Sequence, residues 1–153
     1  MNAAWDGREP VVIFEDESVV VLDKPSGLIV YPDGKHDYPA LSAWLETRYP
    51  EFYFVHRIDR ETSGLLVIAR TQHALEFLKK QFQEREIKKT YRAFVHGPLK
   101  DERGIIDKPI GSARGGIGPR SAVRPHGAMR AAQTLYRVIV NGTGAAYVEA
   151  FPK

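Results

Sequence analysis

The apolar residues of this chain come in short, largely β-branched runs cut by Pro, Gly and acidic turns. That punctuation constrains the fold more than any other feature, because it leaves room for many strands and few helices. Val11–Phe14 and Val19–Leu22, split by Glu15-Asp16-Glu17, predict two strands joined by a tight hairpin. Lys24-Pro25-Ser26-Gly27 ends the second, and Leu28–Tyr31 resumes an extended segment. Leu65–Ala69 reads as a buried strand. Thr90–His96 alternates, with Tyr91, Ala93 and Val95 on one side and Arg92, Phe94 and His96 on the other. Leu135–Val140 and Ala145–Phe151 read as the arms of a hairpin turning at Asn141-Gly142-Thr143-Gly144.

Only two stretches have helical spacing. Tyr38–Tyr49 places Leu41, Trp44 and Leu45 on one face, with Pro39 in the first turn and Pro50 as the stop. After Thr71, a capping residue, Leu75, Leu78 and Phe82 form a stripe opposite Lys79, Lys80, Gln83 and Arg85. At least six strands and two helices without βαβα alternation define an α+β fold with a central, largely antiparallel sheet. The 153 residues suit one domain.

The chain has no cysteine, which excludes disulfides, thiol nucleophiles and thiolate zinc sites. No histidines stand at metal-ligand spacing, so no metal is expected. No apolar run approaches a membrane span and the first residues, MNAAWDGREP, lack a signal pattern, so a cytoplasmic location is expected. No phosphate-binding glycine motif follows a strand, and Gly111–Gly127, rich in Gly and Arg, reads as a long mobile or ligand-ordered loop. Charge is unevenly spread: residues 1–53 hold 4 basic and 10 acidic side chains, residues 54–153 hold 18 and 9. A basic half of this kind suits a nucleic-acid partner, or a solvated surface whose charges happen to cluster.

The densest polar cluster is His56-Arg57-Ile58-Asp59-Arg60-Glu61-Thr62-Ser63-Gly64, directly before the Leu65–Ala69 strand. Loops at strand ends are where rigid scaffolds hold reactive groups. Arg57 and Arg60 flank Asp59 in sequence and would favour its ionised form, as a nucleophile or general base. A structural ion pair with a cap at the start of the strand fits the same residues.

The segment HRIDRETSGLLVIAR (56–70) resembles the signature HRLDxxTSGLLLxAK of the RluA family of pseudouridine synthases. EDESVVVLDKPSGLIVYP (15–32), KKTYRAFVHG (88–97), IDKPIG (106–111) and AAQTLYRVI (131–139) are similar to further family segments in the same order. The resemblance implies a pseudouridine synthase-like fold that isomerises a uridine of ribosomal or transfer RNA without a cofactor. It assigns Asp59 as catalytic carboxylate and Tyr91 as the ring that stacks on the uracil and assists proton loss at C5. It makes Arg57 the group that fills the stack vacated by a flipped uridine. Arg60, Arg114, Arg120 and Arg124 are then expected RNA contacts, Lys24 is expected to contact RNA or a carbonyl, and His56, Thr62, Ser63 and Gly64 support the loop. The family continues past the Ala145–Phe151 strand into a TGRxHQIRxH motif that this chain stops short of, and too few residues precede Val11 for an amino-terminal RNA-binding module. On this reading the chain is an incomplete, monomeric catalytic domain. The alternative is a non-catalytic RNA-binding remnant; a hydrolase using Asp59 and His56 lacks a nucleophile elbow.

Overall fold

The computed structural model describes residues 5–32, 34, 37–113 and 125–153, apart from the side chains of 112–113 and 125–128. These residues gather into two compact units, 1–86 and 87–153. Among them are ten strands and two helices, and every strand pairing is antiparallel. The α+β class with antiparallel pairing is therefore present.

The first unit holds β1 (Val11–Glu15), β2 (Val19–Lys24), β3 (Tyr53–Phe54) and β4 (Gly64–Ala69), in the order β1-β2-β4-β3. The β1–β2 hairpin closes on Asp16, whose carboxylate accepts from the backbone N–H of Ser18 at 2.8 Å and Val19 at 2.7 Å. An Asp that bonds to the backbone just ahead of it holds a turn without glycine. Alternation then sends Val20 and Leu22 of β2, with Leu66 and Ile68 of β4, to one face. All four are fully buried, together with Leu41 and Leu45 of α1 (Leu41–Glu46). Each such aliphatic side chain contributes about 1.5–3 kcal/mol when taken out of water.

Helix α1 is shorter than the expected Tyr38–Tyr49. The reason lies in the preceding backbone, since Ile29 bridges Ala40 and its N–H donates to the Pro39 carbonyl. The carbonyls of Ile29 and Val30 in turn take the N–H groups of Leu41 and Ser42, at 2.8 and 3.0 Å. Those first-turn donors would otherwise need a capping side chain, and α1 has none. Pro39 thus lies before the helix, and residues 28–31 make one bridge instead of a strand.

Helix α2 (Gln72–Gln83) starts at Thr71, whose hydroxyl accepts from the Ala74 N–H at 3.1 Å. It brings Ala74 and Leu75 onto Ala69, with Leu78, Val19, Tyr53 and Val55 packed around them. Leu65, expected to be buried with the rest of its run, is exposed.

The second unit is a sheet of β5 (Tyr91–His96), β6 (Arg103–Asp107), β9 (Gln133–Asn141) and β10 (Ala145–Pro152), in the order β5-β10-β9-β6. The β9–β10 hairpin turns where expected, with the Gly142 N–H donating to the Ala145 carbonyl at 2.9 Å. A separate pair, β7 (Ile110–Ala113) and β8 (Pro125–Arg130), corrects the ends of the expected Gly111–Gly127 loop, because those residues form a ladder. Arg114, Arg120 and Arg124 lie outside the described residues.

Candidate active site

The loop that enters β4 is fixed first by an apolar anchor. Ile58 is buried in the first unit's core, while its neighbours Arg57 and Asp59 are exposed. Burying the middle residue of a charged triplet leaves the two flanking side chains to project outward.

The second fastening is the turn after β2. The Arg60 carbonyl accepts from the Gly27 N–H at 2.8 Å and from Lys24 Nζ at 3.3 Å. The Ser26 hydroxyl donates to the Glu61 carbonyl at 2.8 Å, and the Thr62 N–H donates to the Asp59 carbonyl at 3.1 Å. Gly27 and Gly64 have φ of +91° and +121°, conformations that side chains disfavour. Gly64 turns the chain out of the loop and into register opposite Lys24.

Lys24, expected to contact RNA or a carbonyl, is removed from the RNA contacts and meets carbonyls instead: it is fully buried, because it follows Val20 and Leu22 on the inward side of β2. Its ammonium donates to the carbonyls of Pro25 at 2.9 Å, Leu28 at 2.7 Å and Arg60 at 3.3 Å. An ammonium has three donors, and here all three are used. Burial pushes its pKa down to about 8, against the opposing pull of the Glu61 and Asp59 charges. Lys24 therefore ties the turn to the loop.

Arg60, expected as an RNA contact, is placed differently from that expectation. Arg60 bonds Glu61 through Nε at 3.0 Å and Nη2 at 2.7 Å, and its guanidinium lies 4.2 Å from the Tyr38 ring centroid. Its side chain is only 13% exposed, so it is held within the loop and not presented to a ligand. These bonds hold the Glu61 carboxyl below its ordinary range. Arg57 is exposed, with its guanidinium 5.3 Å from the Tyr31 ring centroid and Nη1 donating to the Tyr31 hydroxyl at 3.3 Å. Neither arginine pairs with Asp59. Among the described residues that carboxylate forms no salt bridge. Each arginine has an aromatic ring at hand, and Arg60 has an adjacent carboxylate as well.

His56 Nε2 accepts from the Val67 N–H at 3.1 Å, which requires that nitrogen to be unprotonated. Its ring stacks on Phe82 of α2 at 4.5 Å between centroids. Ser63 is exposed and Thr62 half-buried. Tyr91 belongs to the second unit, where it opens β5 opposite Ala150, half-buried on the side of Ala93 and Val95.

Sequence reasoning passed over a rung of charge across the second sheet. Arg92, Glu149, Arg137 and Arg103 are successive cross-strand partners on β5, β10, β9 and β6. Glu149 accepts from Arg137 and Arg92, and the Arg137 bond, foremost, lowers its pKa. The alternation of β5 and the register of the β9–β10 hairpin were the available signals. Tyr31 and Tyr38 were also missed, since nothing local in sequence pairs them with arginines far along the chain. Among the described residues, no three His, Asp or Glu side chains are grouped to hold a metal, and no helix is long and apolar enough to cross a membrane.

A strand-end loop bearing an exposed carboxylate, set in an α+β frame of antiparallel sheets, is the class of arrangement the structure defines. Residues 18–153 match the family model for RNA pseudouridylate synthase, and the chain belongs to that family. Its relatives place it in the RluA group. It is 44% identical over 101 residues to the dual-specificity RNA pseudouridine synthase RluA of Vibrio vulnificus, covering 65% of this chain and 40% of that protein. It is 39% identical over 135 residues to the ribosomal large subunit pseudouridine synthase D of Nitrosomonas europaea, covering 84% and 38%. Among solved structures, human RNA pseudouridylate synthase domain containing 4 superposes with a TM-score of 0.72 at 27% identity, covering 92% of this chain and 58% of that one. Human RNA pseudouridylate synthase domain containing 1 gives a TM-score of 0.79 at 22% identity, covering 94% and 59%, a likeness of fold. The chain spans between a third and a half of the length of the curated relatives it matches.

Proposed function

We propose that this chain carries the catalytic loop of a cytoplasmic enzyme that converts a uridine of ribosomal or transfer RNA to pseudouridine, with Asp59 as the reacting carboxylate. The observation that supports it is the exposed Asp59 on a loop fastened by buried Ile58 and by main-chain bonds, inside the segment that matches the family. The reaction is an isomerisation: the bond from C1′ to the uracil nitrogen breaks, the ring turns, and a bond from C1′ to C5 forms. The uracil N1 accepts the electron pair of the breaking bond and ends protonated as C5 loses its proton, while any C1′–carboxylate bond breaks as C5 attacks or any removed 2′ proton is returned. Asp59 begins the sequence by attacking C1′ or by removing the 2′ proton, and Tyr91 receives the role of stacking on the uracil and assisting loss of the C5 proton.

A uridine in structured RNA reaches such a loop only by leaving its stack. Arg57 is suited to take the vacated place, because a planar guanidinium stacks on bases as it lies here against Tyr31.

The test is tritium release from RNA carrying 5-tritiated uridine. The parent chain releases tritium, and Asp59→Asn loses release by at least about 10³-fold while keeping its RNA affinity, since the lost group takes part in the chemistry. Binding without release by the parent chain would leave an RNA-binding remnant in place of an enzyme.

A further inference from the structure

One face of the second unit's sheet, the one bearing Arg92 and Phe94, is unusually furnished. One rung carries three guanidiniums, of Arg92, Arg137 and Arg103, around a single carboxylate, Glu149. Glu149 is buried beneath Arg92 and Arg137, whose side chains remain 64% and 55% exposed. Arg103 is exposed and forms no salt bridge among the described residues. One rung along, Phe94 stacks on Tyr147 at 4.8 Å between centroids and is 79% exposed. To the other side, Ile105, Leu135 and Phe151 share a rung. With Arg103 and Arg137 at their edge they line a groove of about 680 Å³.

We infer that this face is a binding platform for single-stranded RNA. The inference rests on the proposed use of RNA as substrate, and it concerns the sheet face opposite to the one Tyr91 occupies in β5. Surplus guanidinium charge answers phosphates, and exposed rings answer unpaired bases; the two together select a nucleic acid strand over a protein surface. The groove, apolar in its floor and cationic at its rim, has the size of sites that take small flat ligands. An unpaired nucleotide fits that description, with its base over Leu135 and Phe151 and its phosphate toward Arg103. Duplex RNA offers no free base faces and would leave the rings unused.

The experiment uses a labelled RNA stem-loop with a single-stranded flank, tritiated at uridine C5, and the full chain. At about 0.1 M salt, Arg103→Glu is expected to bind about tenfold more weakly and to flatten the log–log salt dependence by about 0.7. Phe94→Ala is expected to bind about fivefold more weakly with the slope unchanged. Both raise KM and leave kcat at saturating RNA alone, and ultraviolet crosslinking attaches uracil to the peptide holding Phe94 or Tyr147. Arg103→Gln, a milder change, loses affinity in the same direction, so the inference does not depend on one variant folding.

Unchanged affinity in these variants beside a parent that binds and releases tritium overturns the platform and leaves the isomerase standing. Crosslinks confined to other residues, or a protein partner that alone responds to Arg103→Glu, also overturn it. Crosslinking at this face without tritium release supports the platform and defeats the isomerase.

Discussion

The two units spend their apolar residues differently. In the first, ten residues from two strands, a helix and three connecting segments close into one buried cluster, and a second cluster sits under α2. In the second, among the described residues, Ala146 and Val148 are the buried apolar side chains, while Phe94, Ile105, Ile106 and Val140 are exposed. The first unit is built to hold a loop still. Among the described residues, the second unit's sheet is held by backbone ladders and cross-strand pairs more than by a packed interior.

The largest effect that tests this contrast is a cavity. Leu66→Ala in the first unit should lower unfolding free energy by about 3 kcal/mol or more, against less than about 1 kcal/mol for Ile105→Ala on the open sheet face. Urea denaturation of the two variants measures both, and equal losses would erase the distinction.

Next comes Lys24. Lys24→Met removes the donor from the Pro25 and Leu28 carbonyls and leaves the Arg60 carbonyl with the Gly27 N–H alone, a loss of about 2–3 kcal/mol at neutral pH. The pH dependence sharpens the point. The folded-state pKa of Lys24 is near 8 against an ordinary 10.5, so between those values the unfolded chain binds more protons than the folded one. Parent stability therefore gains a rising component from about pH 8 to 10.5, and the difference between parent and Lys24→Met isolates it in denaturation midpoints across that range.

The smallest effect belongs to the second unit. Arginine contacts depress the folded-state pKa of Glu149. Its charged form thus adds stability above its ordinary pKa of 4.5, and that contribution is lost as pH falls through the lower folded value. The stability difference between parent and Glu149→Gln should shrink from pH 6 to pH 3 in thermal melts. A constant difference would remove the rung's electrostatic role.

How much of this was legible in sequence follows from the range of the interactions. The β1–β2 and β9–β10 hairpins and the Thr71 cap were legible because their determinants lie within a few residues. The short α1 was not, since its first turn is satisfied by Ile29 and Val30 from outside the helix. Strand β6 was missed because Arg103–Asp107 has little alternation of its own and gains its place by pairing with β9, some thirty residues on. For the site, the exposed setting of Asp59 was readable from its segment, but the partners of Arg57 and Arg60 were not. Lys24 had a readable sign: extending the Val20, Leu22 alternation by one step places it inside. A lysine at an inward step is usually taken as the end of a strand, and here it completes one.

The Arg60 carbonyl, gripped by Gly27 and Lys24 together, has a consequence for how this architecture tolerates change. Where Asp59 stands follows from the path of the chain, and the exposed Ser63 side chain plays no part in fixing it among the described contacts. The carboxylate keeps its post through Lys24, Gly27, Gly64 and the buried Ile58 together, so the element that fixes it is the whole run from β2 through β4.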